Sequence, residues 1–196
     1  ELEDLETIEL TNYDNPVTQE ESLLINMPVT IAAVDDEPMN LEQDSGDWTY
    51  QGLTADDSIN SSAAIFVVAD GVGIDGIEFE NNSGGKLDSA IHVNAFPDNQ
   101  GHGTIVFEDI AVAGGGSELF SSGIKFDGQV SDPEVVPGNG GISYENGIGI
   151  AGVKLTSEGI TDNGNGIYFT DEVGDVNGVL IESVLAEGIL SSAVLF

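Results

Sequence analysis

Val72-Gly-Ile-Asp-Gly-Ile-Glu-Phe-Glu-Asn81 holds two short apolar alternations separated only by Asp75-Gly76. Val72 and Ile74 share one parity and Ile77 and Phe79 the other, so the two-residue rhythm of a strand slips by one at the Asp-Gly. Asp-Gly between alternating runs ordinarily signals a hairpin, because both residues accept positive φ. Each run here is too short for an isolated hairpin to hold itself together. The alternative is a corner, where glycine relieves the backbone and the slip turns Ile77 and Phe79 back toward the same interior.

The rest of the chain favours the corner. A small residue, an aliphatic, any residue and a large apolar residue recur as Gly76-Ile-Glu-Phe79, Ala90-Ile-His-Val93, Thr104-Ile-Val-Phe107 and Gly123-Ile-Lys-Phe126. The pattern continues as Gly141-Ile-Ser-Tyr144, Gly152-Val-Lys-Leu155, Gly166-Ile-Tyr-Phe169 and Gly178-Val-Leu-Ile181. These units are too closely spaced for strands joined by crossover helices, and too irregular for a strict tandem repeat. A sandwich or barrel also has many short strands. In a solenoid, however, each strand needs only a bend at its end and finds its hydrogen-bond partners in the coils above and below. The sequence therefore predicts an all-β solenoid.

Leu23-Leu-Ile-Asn-Met-Pro-Val-Thr-Ile31, Val68-Ala-Asp-Gly-Val-Gly-Ile-Asp-Gly-Ile77 and Gly164-Asn-Gly-Ile-Tyr-Phe169 resemble coils of right-handed parallel β-helix proteins of the pectate-lyase-like superfamily. The resemblance covers roughly residues 20 to 190 and implies a right-handed parallel β-helix over residues 23–196, preceded by an N-terminal cap or extension over residues 1–22. It implies little about activity, because that architecture carries lyases, hydrolases, adhesins and structural surface proteins. The expected register stacks Ile77, Ile105, Val153 and Val179 in one internal row, with Phe79, Phe107, Leu155 and Ile181 beside it. Ile91, Ile124 and Ile167 form a row on another wall. In the cap, Leu2, Leu5 and Ile8 lie three apart among acidic residues, which suits a helical turn or a short strand laid over the first coil. Gly188 to Phe196 is apolar to its last residue.

Charge bounds the partners. The 196 residues hold 36 carboxylates against three lysines (Lys86, Lys125, Lys154) and no arginine, a formal charge of −33. A phosphate backbone needs cations to displace its counterions, so nucleic acid is excluded as a partner. Attraction to an anionic membrane surface fails for the same reason, and no apolar run is long enough for membrane insertion. Self-repulsion of this size calls for screening by salt or divalent cations. With no cysteine, redox chemistry does not fix the compartment. The chain begins at Glu1 without a methionine, which is expected of a processed mature region, and we expect a secreted protein, extracellular or at the cell surface.

Catalytic signals are weak. His92 and His102 lack a third ligand, and both are expected at the surface, His92 by its outward parity. Glu78 and Glu80, like Glu108 and Asp109, read as a solvated acidic wall, although glycoside hydrolysis needs such pairs. Calcium-dependent lyases of the resembled superfamily commonly use a basic residue, often arginine, to abstract a proton, and no arginine is present. Gly114-Gly-Gly116 and Gly138-Asn-Gly-Gly141 precede strands and read as corners, not phosphate cradles. The best ligand candidate is calcium, held by oxygen donors from Asp162, Asn163 and Asn165 and from Asp171, Asp175 and Asn177 on flexible corners.

These features point to a non-enzymatic structural or adhesive solenoid, associating end to end as a homo-oligomer in an extracellular filament or surface layer. The alternative is a carbohydrate-active enzyme or polysaccharide-binding module, with divalent cations bridging to a surface polysaccharide. Sugar stacking would need an exposed aromatic row, and Trp48, Tyr50, Tyr144 and Tyr168 are widely separated.

Overall fold

Asp75-Gly76 turns the chain out of one sheet and into another. The computed structural model describes residues 7–10, 17–34, 38–47, 62–94, 101–102, 104–112, 119–127, 143–144, 148–170, 178–188 and 191–196. Three parallel sheets of six strands each are visited in strict rotation. The first circuit comprises β1 (Thr7–Leu10), β2 (Val17–Glu21) and β3 (Leu23–Ile25), and the second β4 (Val29–Ala33), β5 (Met39–Asp47) and β6 (Ala63–Val67). The third contains β7 (Val72–Asp75), β8 (Ile77–Asn81) and β9 (Leu87–Val93). A two-residue strand β10 (Gly101–His102) precedes the fourth circuit of β11 (Ile105–Glu108), β12 (Ala111–Val112) and β13 (Phe120–Phe126). Its partner β14 (Ser143–Tyr144) precedes the fifth circuit of β15 (Ile148–Ala151), β16 (Lys154–Thr156) and β17 (Ile160–Phe169). The last holds β18 (Val179–Glu182), β19 (Leu185–Glu187) and β20 (Ser192–Leu195). Such stacking is compatible with a β-solenoid, and all eight units of the recurring pattern overlap strands.

The corner between the first and second sheets is made in the same way in four successive circuits. Gly76, Asp109, Gly152 and Ser183 stand above one another with φ of 70°, 49°, 66° and 53°. One left-handed residue redirects the chain while its backbone stays in the ladder: Gly76 N–H donates to Glu108 O at 3.1 Å and Asp109 N–H to Ala151 O at 3.0 Å. The following residues, Ile77, Ile110 and Val153, then point inward and are buried. Two of these corners are non-glycine, at some cost in backbone strain. At Gly152 the reason for glycine is also steric, because a Cβ there would run into the Asp109 carboxylate, with Asp109 N only 3.2 Å away. We expect Gly152→Ala to lower the thermal midpoint clearly, whereas Gly85→Ala, where a Cβ meets open space, leaves it near the parent value.

Buried aliphatic side chains form continuous rows up the interior. Ile65, Ile91, Ile124 and Ile167 are in register in the third sheet, as the sequence predicts for the last three. The other expected row is corrected in part: Val179 and Ile181 do stand in register with Ile105 and Phe107, through Ile148 and Ile150. Ile105 pairs with Val72 and Ile148, and Phe107 with Ile74 and Ile150, all in the first sheet. Ile77 and Phe79 belong instead to the second sheet, opposite Met39 and Leu41, and Leu155 pairs there with Val112 and Ala186. The sheets meet across that single left-handed residue, so strands on either side of it carry the same apolar pattern. An aromatic column runs through the interior, with Phe126 stacked on Phe169 at 4.4 Å and Phe169 on Phe196 at 4.8 Å between centroids.

The described part of residues 1–22 is strand. β1 and β2 pair parallel with β4 and β5, so Ile8 lies on a strand and not in a helical turn, while Leu2 and Leu5 fall outside the described residues.

Candidate functional site

His92, Lys125 and Asp127 gather on the outer face of the third sheet. His92 has the outward parity of β9, yet it is fully buried, against the expectation of an exposed histidine. Phe66 lies beside it on β6, with ring centroids 5.3 Å apart and planes tilted by 33°. On the next rung Lys125 pairs with His92 in register, and Asp127 follows the end of β13. Asp127 Oδ2 lies 3.3 Å from His92 Nε2 and 3.1 Å from Lys125 Nζ, and its Oδ1 accepts from Thr170 Oγ1 at 3.4 Å. Neither ring nitrogen of His92 makes an aligned hydrogen bond, so the 3.3 Å approach to Asp127 is a close polar contact.

Burial holds the His92 imidazole below its ordinary range, because desolvation penalises the charged ring. Asp127 opposes that shift, Lys125 adds to it, and Asp88 pulls weakly the other way. An enclosed neutral imidazole cannot reach a substrate proton as a general base must. It does couple stability to pH. An unfolded chain takes up a proton near pH 6.5 that the folded one resists, so this group's contribution falls as pH drops below 6.5. The substitution His92→Phe removes the titrating ring and with it this linkage. Between about pH 7.5 and 5.5, on either side of the ordinary histidine range, the parent should lose stability relative to the variant, read from paired urea melts. Equal changes would contradict the assignment.

The expected calcium donors are divided. Asp162 and Asn163 are exposed on β17. They lie in a bulge where Thr161 to Gly164 stand against the single Ser121 of β13. Asn165 is in register with Ser122 and Ser192, and its Oδ1 is buried without a hydrogen-bond partner. Asp171, Asp175 and Asn177 lie outside the described residues. No group of three or more His, Asp or Glu side chains able to hold a metal occurs among the described residues. The backbone of His102 pairs with Tyr144 in the β10–β14 ladder.

The acidic wall of the second sheet is cross-linked by amides. Asn40 Nδ2 donates to Glu80 Oε2 at 2.9 Å, and Asn82 Nδ2 to Glu42 Oε1 at 2.7 Å. Amides recur on the buried face of that sheet's strands, which sequence reasoning missed. Gln43 and Asn81 are buried in register, Gln43 donating to Leu41 O at 2.7 Å and Asn81 to Gly85 O at 3.1 Å. The available signal was a polar amide at the inward parity, two residues after Leu41 and Phe79. In the first sheet, Asp75 is pushed above the usual carboxylate range by burial and by neighbouring Asp109.

No family, curated protein or solved structure matches the chain.

Proposed function

We propose that this chain is a non-enzymatic, secreted structural or adhesive protein, a right-handed parallel β-helix of the pectate-lyase-like type that assembles end to end into an extracellular filament or surface layer. One observation carries this reading: apolar side chains are exposed at both ends of the stack. Ile8 and Leu23 are 48% and 42% exposed in the first circuit, and Leu180 and Phe196 are 57% and 73% exposed in the last. Ends of parallel sheets are templates for further strands. The walls offer less, since Glu42 and Glu80 of the second sheet are held by amides and His92 is enclosed. Electron microscopy of the purified chain at rising concentration tests the reading, which expects rods or fibres longer than one molecule.

Calcium is the cation we assign to the β17 bulge and the segment after it. Titration at constant ionic strength should reveal a saturable site that Asp162→Asn weakens; magnesium or sodium acting equally would leave only a diffuse cation atmosphere.

The second reading, a polysaccharide-binding module or carbohydrate-active enzyme, draws support from a groove of about 300 Å³ on the outer face of the first sheet. Thr30, Gly73 and Val106 line its floor, with Asp75 and Glu108 beside them. Polysaccharide that protects the chain from thermal unfolding would favour this reading over assembly.

A further inference from the structure

We infer that the assembling contact is a continuation of the solenoid itself: the last circuit of one copy docks on the first circuit of the next, in the register that relates successive circuits within the chain. This rests on the assembly reading above and specifies its joint. Among the described residues, β1, β2 and β3 are the outer strands of the three sheets at one end, and β18, β19 and β20 at the other. No described strand pairs with these outer edges, and strands of a following copy are a natural complement to all three at once.

The side chains match row by row. Thr7, Thr30, Gly73, Val106, Gly149 and Leu180 form one outward row of the first sheet. The inward row beside it runs from Ile8 to Ile181. In the third sheet an inward row runs from Leu23 to Val194. One further step in the same direction sets Ile181 on Ile8 and Val194 on Leu23 of the next copy, apolar on apolar in both sheets. Phe196 is the exposed last ring of the aromatic column. At the receiving end an apolar cavity of about 640 Å³, lined by Ile8, Leu10, Val17 and Leu23 among others, leaves the interior open to such side chains. Both halves are exposed apolar surface in the single chain, and docking buries them together.

One row opposes the contact. Glu9, Ala32, Asp75, Glu108, Ala151 and Glu182 are in register, so the joint sets Glu182 directly on Glu9 of the next copy. Like charges in direct opposition repel, and this pair adds to the repulsion between two chains of −33. Salt screens it, so the joint is weak in dilute buffer and strengthens as ionic strength rises. Unlike ends joined this way form an open, heterologous contact that propagates.

The chain has no cysteine, which permits a direct test by cross-linking. Thr7→Cys and Leu180→Cys place single thiols on exposed outward positions of the same row, where adjacent strands come within disulfide reach. Mixed at equal amounts in high salt and oxidised, the two variants should give dimers containing one of each in clear excess over like pairs. Sedimentation velocity should show assembly of the parent that Glu182→Gln promotes in low salt. Phe196→Ala should shift assembly to a concentration about tenfold higher or more, with the circular dichroism of the single chain unchanged. Assembly accompanied by like-with-like cross-links, or by none, overturns the joint and leaves the assembly reading standing. A folded chain that stays monomeric at every concentration and salt level overturns both.

Discussion

Phe126→Ala is expected to lower the stability of the folded chain by about 3–5 kcal/mol, the usual cost of emptying a buried aromatic site. Phe126 is completely buried, stacked on Phe169 at 4.4 Å and tilted against Phe107 at 6.2 Å. Its removal interrupts a column as well as a row, and offset or stacked aromatic pairs add about 0.5–1.5 kcal/mol beyond their area. Neighbouring circuits are fixed above and below by three ladders, so the walls have little freedom to collapse into the void. Glu78→Gln on the outer face of β8 supplies the control and should cost almost nothing. Urea melts of the two variants read the difference directly, and a glutamine variant as damaged as the alanine one would mean that the inward and outward parities are exchanged.

The second large effect is on the whole chain. Raising sodium chloride from about 0.01 M to about 1 M shortens the screening length from about 30 Å to about 3 Å. With 36 carboxylates and three lysines, nearly every charge on the surface meets repulsion that this removes. For a chain of this size each ~1 kcal/mol moves the thermal midpoint by roughly 2–4 °C, so we expect a rise on the order of 10 °C across the series. Millimolar calcium should produce part of this rise at far lower ionic strength. Identical midpoints in dilute buffer, concentrated salt and calcium would show that repulsion does not limit the fold.

Much of the architecture was legible in the sequence because a solenoid repeats one physical requirement: an inward aliphatic, a bend, and another inward aliphatic. The parity slip at Asp75-Gly76 identified a corner correctly, and the row from Ile91 to Ile167 followed from the resemblance and the spacing together. Stacking Ile77 on Ile105 failed for a definite reason. The strand that partners Ile105 is β7, and Gly71-Val-Gly-Ile74 carries the same pattern as Gly76-Ile-Glu-Phe79, so the pattern could not tell which of the two adjoining strands stands against Ile105. Sequence parity placed His92 on the outside of its strand, but outward is not the same as exposed, and no local signal reports what lies over an outer face. The amides Gln43 and Asn81 are inward for a similar reason. Polarity argued for solvent, whereas nearby backbone carbonyls accept from both side-chain NH2 groups. The calcium donors rested on composition alone, and a cluster of oxygens in sequence carries no information about convergence in space.

The column of left-handed residues at Gly76, Asp109, Gly152 and Ser183 has a consequence for how the sequence can change over time. A corner of one residue has no slack: adding a single residue there would turn every following side chain of the second-sheet strand from the interior to the solvent. Over these four circuits insertions and deletions are therefore confined to the other two edges, whereas in the first two circuits residues 11–16 and 34–38 separate the strands at this same edge. The chain itself displays the asymmetry, with a single residue between β7 and β8 but residues 48–62 between β5 and β6 and residues 94–100 between β9 and β10. Along these four circuits one edge acts as a fixed spine against which the remaining two can lengthen, diversify or accept a grafted peptide without disturbing the stacking. Variation in a lineage built on this plan should accumulate on two sides of these four circuits and leave the third almost unchanged in length there.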